Sequence, residues 1–198
     1  GTELDVLTAQ KTAKDAEAAL QSATAAATKA RQTVLVNLGW NYDATPQICA
    51  VPEVTDEMIA AINLAQDTQT ALQNNYQLQI DQRKLALAES DGTKNTTQIT
   101  VTNDENQVQS NMTARYNAVL SAQNELRKAE LNLQNMQTTL GRVTRSYAAG
   151  AASARDLEDA QYSASVAEYT VKLDRYALQS AYFTYLAGRD GLAGSSAS

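Results

Sequence analysis

Apolar residues recur along this chain at three- and four-residue steps, the spacing that places them on one face of an α-helix. Four helical segments follow from that period, over residues 3–38, 55–90, 103–148 and 153–187. The third carries a heptad seam through Val119, Ala122, Leu126, Ala129, Leu133, Met136, Leu140, Val143 and Tyr147. A seam that regular, on a helix longer than a small globular core can cover, predicts a coiled coil or an extended bundle. The fourth segment carries two seams. One is rich in alanine and runs through Leu157, Ala160, Ala164, Ala167, Val171, Asp174, Leu178, Ala181 and Tyr185; the other runs through Tyr162, Val166, Tyr169, Leu173, Tyr176 and Phe183. Two seams on one helix predict two neighbours, a close one over the alanines and a more distant one over the aromatics, which can equally be plain bundle core.

A shift of 151 residues lays Val6, Ala9, Ala13, Ala16, Leu20, Ala23, Ala27, Ala30 and Val34 onto the alanine-rich seam of the fourth segment. Identities accompany it at Asp5/Asp156, Gln10/Gln161 and Glu17/Glu168, so the first and fourth helices read as equivalent parts of a duplicated unit. The expected organisation is a first helix over 1–39, an irregular link over 40–54, a helix over 55–90, a short turn over 91–102, a long helical hairpin over 103–187 with its tip near 148–153, and a flexible tail over 188–198. The link holds both prolines and ends in Thr55-Asp56-Glu57, a cap followed by acids that suit a helix start. The stretch Thr96 to Thr102 is β-branched and alternating, open to reading as a short strand or as the frayed start of a helix.

Composition supports an all-α chain: 198 residues contain 8 Gly, 2 Pro, 1 Phe and 1 Trp, so helix breakers are scarce. With 16 basic and 22 acidic residues the net charge is -6, which repels a phosphate backbone and argues against nucleic acid as a partner. The absence of His and the single cysteine, Cys49, remove imidazole acid–base chemistry and His/Cys metal sites, so neither a metal nor a cofactor is expected. No nucleophile–base pair or phosphate loop is found, and the chain does not read as an enzyme. No apolar run is long enough for a membrane-spanning helix.

"SYAAGAASARDLEDAQYSASVAEYTVKLDRYALQSAYFTYLAG", from Ser146 to Gly188, resembles the second periplasmic helical hairpin of TolC-type outer-membrane efflux proteins. The shared pattern is a Tyr, a Gly three later, a Ser or Thr, then Asp-hydrophobic-x-x-Ala opening a helix with spaced Ala and Tyr. "VNLGW", the proline-containing link and "TDEMIAAINLAQ" resemble the family's passage between repeats. The resemblance implies long antiparallel coiled-coil hairpins in a homotrimeric periplasmic tube, associated with the outer membrane. Such a tube docks on a periplasmic adaptor protein and, through it, on an inner-membrane pump, exporting small molecules or proteins.

Matched residue by residue, the resemblance makes Tyr147, Gly150 and Ser153 the adaptor-docking tip. It makes Asp156 and Asp159 an acidic ring at the narrow entrance, with Asp5 as the repeat counterpart of Asp156. Where the family often has an arginine two residues after the tip glycine, this chain has Ala152, and Arg155 is the candidate substitute. Each acid also has a plainer reading. Ser153 with Asp156 is an S-x-x-D helix start, and Asp159 fits a solvated surface charge. Residues 91–103 are too few for two outer-membrane strands and a turn, so a fragment or a barrel-less version is expected. The alternative to a conduit is a coiled-coil scaffold or spacer with no transport role.

Overall fold

A computed structural model describes residues 3–47, 49 and 51–192. All regular structure among them is helical: α1 (Glu3–Asn37), α2 (Asp56–Ala60), α3 (Leu64–Asn74), α4 (Tyr76–Leu87), α5 (Asp91–Ala148), α6 (Ala154–Ala187) and a terminal π-helical turn, Gly188–Leu192. The chain divides into two compact units, one ending at Val51 and the other beginning at Pro52.

The first unit is α1 and the link that follows it. Gly39 takes a left-handed φ of 74°, and the amides of Gly39 and Trp40 donate to the carbonyls of Val36 and Leu35, both at 2.9 Å. This double closure satisfies carbonyls that would otherwise be orphaned at the helix end, and it needs a residue without a Cβ penalty. Arg31 then donates to the carbonyl of Pro46 at 3.4 Å, which brings the link back beside the last turns of α1. Of the α1 residues only Leu35 is buried.

In the second unit α5 and α6 run antiparallel. Arg115 meets Thr184 far from the connecting turn, while Val143 and Ala160 share a groove beside it. The alanine-rich seam of α6 is the buried one, with Ala164 5% and Ala167 2% exposed. Small side chains let the α5 backbone approach closely along this face. Away from the turn, α2 and α3 cover the pair, and Ile59, Ala71, Val108, Met112, Val119, Leu178, Tyr182 and Tyr185 form the core.

Two segments differ from the expected layout. Residues 55–90 form three short helices instead of one, because polar side chains start a new helix each time. Thr55 Oγ1 accepts from the Met58 amide at 3.3 Å, Asn63 Oδ1 from that of Gln66 at 3.2 Å, and Asn75 Oδ1 from that of Leu78 at 2.9 Å. Asn competes well with the helical ladder because its short side chain can replace a backbone acceptor.

Residues 91–102 are not a turn but the opening of α5, capped by Ser90, whose Oγ accepts from the Thr93 amide at 3.2 Å. The threonines that suggested a strand instead donate to carbonyls one helical turn back: Thr96 to Gly92 at 3.0 Å and Thr102 to Gln98 at 3.0 Å. Val101, Val108, Met112 and Val119 are all buried, so the apolar seam continues upstream and supplies the packing that overrides propensity. At 58 residues α5 is about 87 Å long at ~1.5 Å per residue.

The first five residues of the expected flexible tail are a third correction. Arg115 Nη1 donates to the Thr184 carbonyl at 2.6 Å and Nη2 to that of Leu192 at 3.0 Å, tying Gly188–Leu192 to α5. Residues 193–198 lie outside the described residues.

Candidate docking turn and acidic groove

Five of the six residues singled out in the sequence come together at the turn between α5 and α6. Gly150 has φ 74°, and the amides of Gly150 and Ala151 donate to the carbonyls of Tyr147 (2.9 Å) and Ser146 (2.8 Å). This is the same closure as at Gly39, and it ends α5 within a single residue. A Cβ placed on Gly150 would meet nothing within 4 Å, so backbone conformation, not space, explains glycine here. Tyr147 occupies the last turn of α5 and is exposed.

Ser153 opens α6. Its Oγ accepts from the Asp156 amide at 3.1 Å, and Asp156 Oδ2 accepts from the Ser153 amide at 2.8 Å and hydroxyl at 2.7 Å. The bond from the Ser153 amide, then that from its hydroxyl, holds the Asp156 carboxyl below the ordinary aspartate value of 3.8. A depressed carboxyl adds stability above that ordinary value and loses it as the pH falls through the depressed one. Ser153→Ala should therefore fray the first turn of α6 at neutral pH, costing about 0.5–2 kcal/mol as other N-cap losses do. The variant should also lose less stability than the parent as the pH is lowered below 3.8. Urea titrations of both proteins across that range check it.

Asp159, one turn further on, is exposed and has Arg155 Nε 4.0 Å from its carboxylate, an i,i+4 pair that contributes little in water. Both aspartates line a groove of about 440 Å³ between α5 and α6, facing Met136, Thr139, Arg142 and Val143 of α5. Arg142 is a site residue that motif reading missed. It lies eight residues before Gly150, and Asp159 nine after it, so an antiparallel pair places them level. That count from the turn was the available signal. Asp5 is in the first turn of α1, in the other unit.

No protein-family model, curated protein or solved structure matches this chain. Beyond the groove, the second seam of α6 is bare: Tyr162 is 73%, Tyr169 65% and Tyr176 66% exposed, with Val166 and Leu173 between them. Exposed apolar and aromatic stripes of this size are the surfaces at which proteins commonly meet partners. Among the described residues no group of three or more His, Cys, Asp or Glu is arranged to hold a metal ion, and no helix is long and apolar enough to cross a membrane.

Proposed function

We propose that this chain is the helical conduit part of a TolC-like efflux channel. In this reading α5 and α6 are a coiled-coil hairpin whose turn, at Tyr147, Gly150 and Ser153, docks on a periplasmic adaptor protein bound to an inner-membrane pump. The observation that carries the proposal is the division of labour on α6. Its alanine seam is buried on α5 within the chain, while its tyrosine seam is largely exposed from Tyr162 to Tyr176. A helix that satisfies one neighbour and advertises for a second is what a stave in a wall of helices requires. Further copies of the chain supply that second neighbour, in a homotrimer within the cell envelope.

The turn suits docking because it is small and capped on both sides, so a partner meets pre-ordered backbone and pays little ordering entropy. In an assembled tube the groove carboxylates of Asp156 and Asp159 become a repeated acidic lining that favours cations, with Asp5 as their counterpart in the repeated unit. Conduction, not catalysis, is the assigned role.

The test uses Ala151, which lines the groove at the turn, is exposed, and takes no left-handed backbone conformation. The full chain should pull down a periplasmic adaptor's helical hairpin, and Ala151→Trp should weaken that binding tenfold or more, about 1.4 kcal/mol, with far-UV circular dichroism unchanged. Equal binding by both proteins removes the turn as the docking site. No binding by either, with the chain still oligomeric, favours the scaffold reading.

A further inference from the structure

Independently of that role, the end of the first unit holds a pocket that the conduit does not use. The closure at Gly39 turns the chain back, and the Trp40 amide donates to the Leu35 carbonyl at 2.9 Å. Arg31 then holds Pro46 beside the same helix end. Between α1 and this returning link lies a cavity of about 450 Å³, whose lining includes Arg31, Val34, Leu35, Leu38, Trp40 and Pro46. That volume lies in the range of small-molecule sites, roughly 300–1,000 Å³. Leu35 is buried, while Val34, Leu38 and Trp40 keep more than half of their surface open to solvent.

The pocket has two chemically different ends. Val34 and Leu38 lie one turn apart on α1, and Arg31 and Leu35 one turn apart on the adjoining row. Leu38 and Trp40 therefore make the end beside Gly39 apolar, and Arg31 with the Pro46 carbonyl makes the far end polar. Arg31 and Leu38 are separated by about 10 Å along the helix. Arg31 is the one charged residue of the lining, which contains no carboxylate. Its Nη2 donates to a neutral acceptor, the Pro46 carbonyl, at a long 3.4 Å. The remaining N–H groups of a guanidinium form a planar fork that suits the two oxygens of a carboxylate. We propose that this pocket binds a small hydrophobic carboxylate, with its apolar body against Val34, Leu38 and Trp40 and its head on Arg31.

Other ligand classes fit one end only. A neutral hydrophobe fills the apolar end and leaves the guanidinium to water, whereas an organic cation is repelled by it. A bare inorganic anion gains nothing from Val34, Leu38 and Trp40, since it has no apolar surface to bury. A groove about two helical turns long is also too short to seat the spaced anchors of a partner helix. A molecule with an alkyl or aryl body and one carboxylate uses both ends at once.

The indole N–H signal of Trp40 in a nitrogen–proton NMR spectrum reads binding in the whole chain, because the sequence holds one tryptophan. Octanoate, comparable in length with the groove, should move that signal saturably. Octanamide should bind about tenfold more weakly, as expected when a charge-assisted bond is replaced by a neutral one, and octylammonium more weakly still. Arg31→Gln, which keeps a polar donor without the charge, should bind octanoate and octanamide alike. Three results overturn the proposal: equal binding of octanoate and octylammonium by the parent, no saturable movement at millimolar octanoate, or an Arg31→Gln protein that keeps the preference. Should the variant disturb the link, the parent's ranking of the three probes decides alone. A Trp40 signal that moves on dilution without ligand would show a second copy of the chain covering the pocket, and that too overturns the proposal.

Discussion

Met112→Ala lowers the unfolding free energy of the second unit by about 2–5 kcal/mol, the range for removing a long buried side chain and leaving a cavity. Met112 is 0% exposed, and the core around it draws on α2, α3, α5 and α6 at once. Its sulfur also lies 3.1 Å from where a Cβ on Gly188 would stand, so neighbours on several elements would have to shift to fill the void. Urea titration followed by circular dichroism measures the loss. The matched control is Tyr162→Ala, on the bare seam of α6, which should change the stability of the isolated chain by less than about 0.5 kcal/mol. A large effect there would mean that the seam is already covered in solution by another copy.

The second large effect is expected at Gly191→Ala. Gly191 has φ 108°, a conformation that L side chains rarely adopt, and a Cβ there would stand 2.5 Å from the Asn74 carbonyl oxygen. Left-handed strain and overpacking together should cost roughly 2–4 kcal/mol. The damage should spread in a definite order. Asn75 Nδ2 donates to the Gly191 carbonyl at 3.4 Å, and Asn75 Oδ1 caps α4, so displacement of the terminal turn loosens the α3–α4 junction first. Tyr185, whose hydroxyl donates to Asp67 Oδ2 at 2.7 Å, anchors the other side of α3 and should yield later. Hydrogen exchange that rises at residues 74–80 before residues 64–70 checks this order.

These two predictions rest on parts of the structure that the sequence reveals to different degrees. The seam from Val119 to Val143 and the alanine seam of α6 are legible because strict three- and four-residue spacing has one physical solution, a buried helix face. The turn is legible too, since a glycine among small residues followed by Ser-x-x-Asp signals both an end and a start. The opening of α5 is not legible in the same way. Thr96, Thr100 and Thr102 have strand propensity, and only the burial of Val101 and Val108 some way along the helix decides against it. Residues 55–90 fail for the opposite reason. Their Leu, Ala and Gln content suits one long helix, and Asn63 and Asn75 look like ordinary exposed positions until their side chains are seen accepting backbone amides.

At the site, Gly150, Ser153 and Asp156 follow from local rules that act within four residues. Arg142 and the Arg115 clamp do not, because each joins residues on different helices and depends on register. For Arg142 the register can be counted from the turn. For Arg115 it cannot, because its partners Thr184 and Leu192 lie far from the turn, at the other end of the hairpin.

Trp40 gives the two-unit organisation an optical consequence. It is the only tryptophan, and it sits in the link that folds beside α1, whereas eight of the nine tyrosines belong to the second unit. Fluorescence excited where tyrosine no longer absorbs thus comes from the first unit, while ellipticity is dominated by the helices of the second. A single denaturant series read by both signals can time the melting of each unit without cutting the chain.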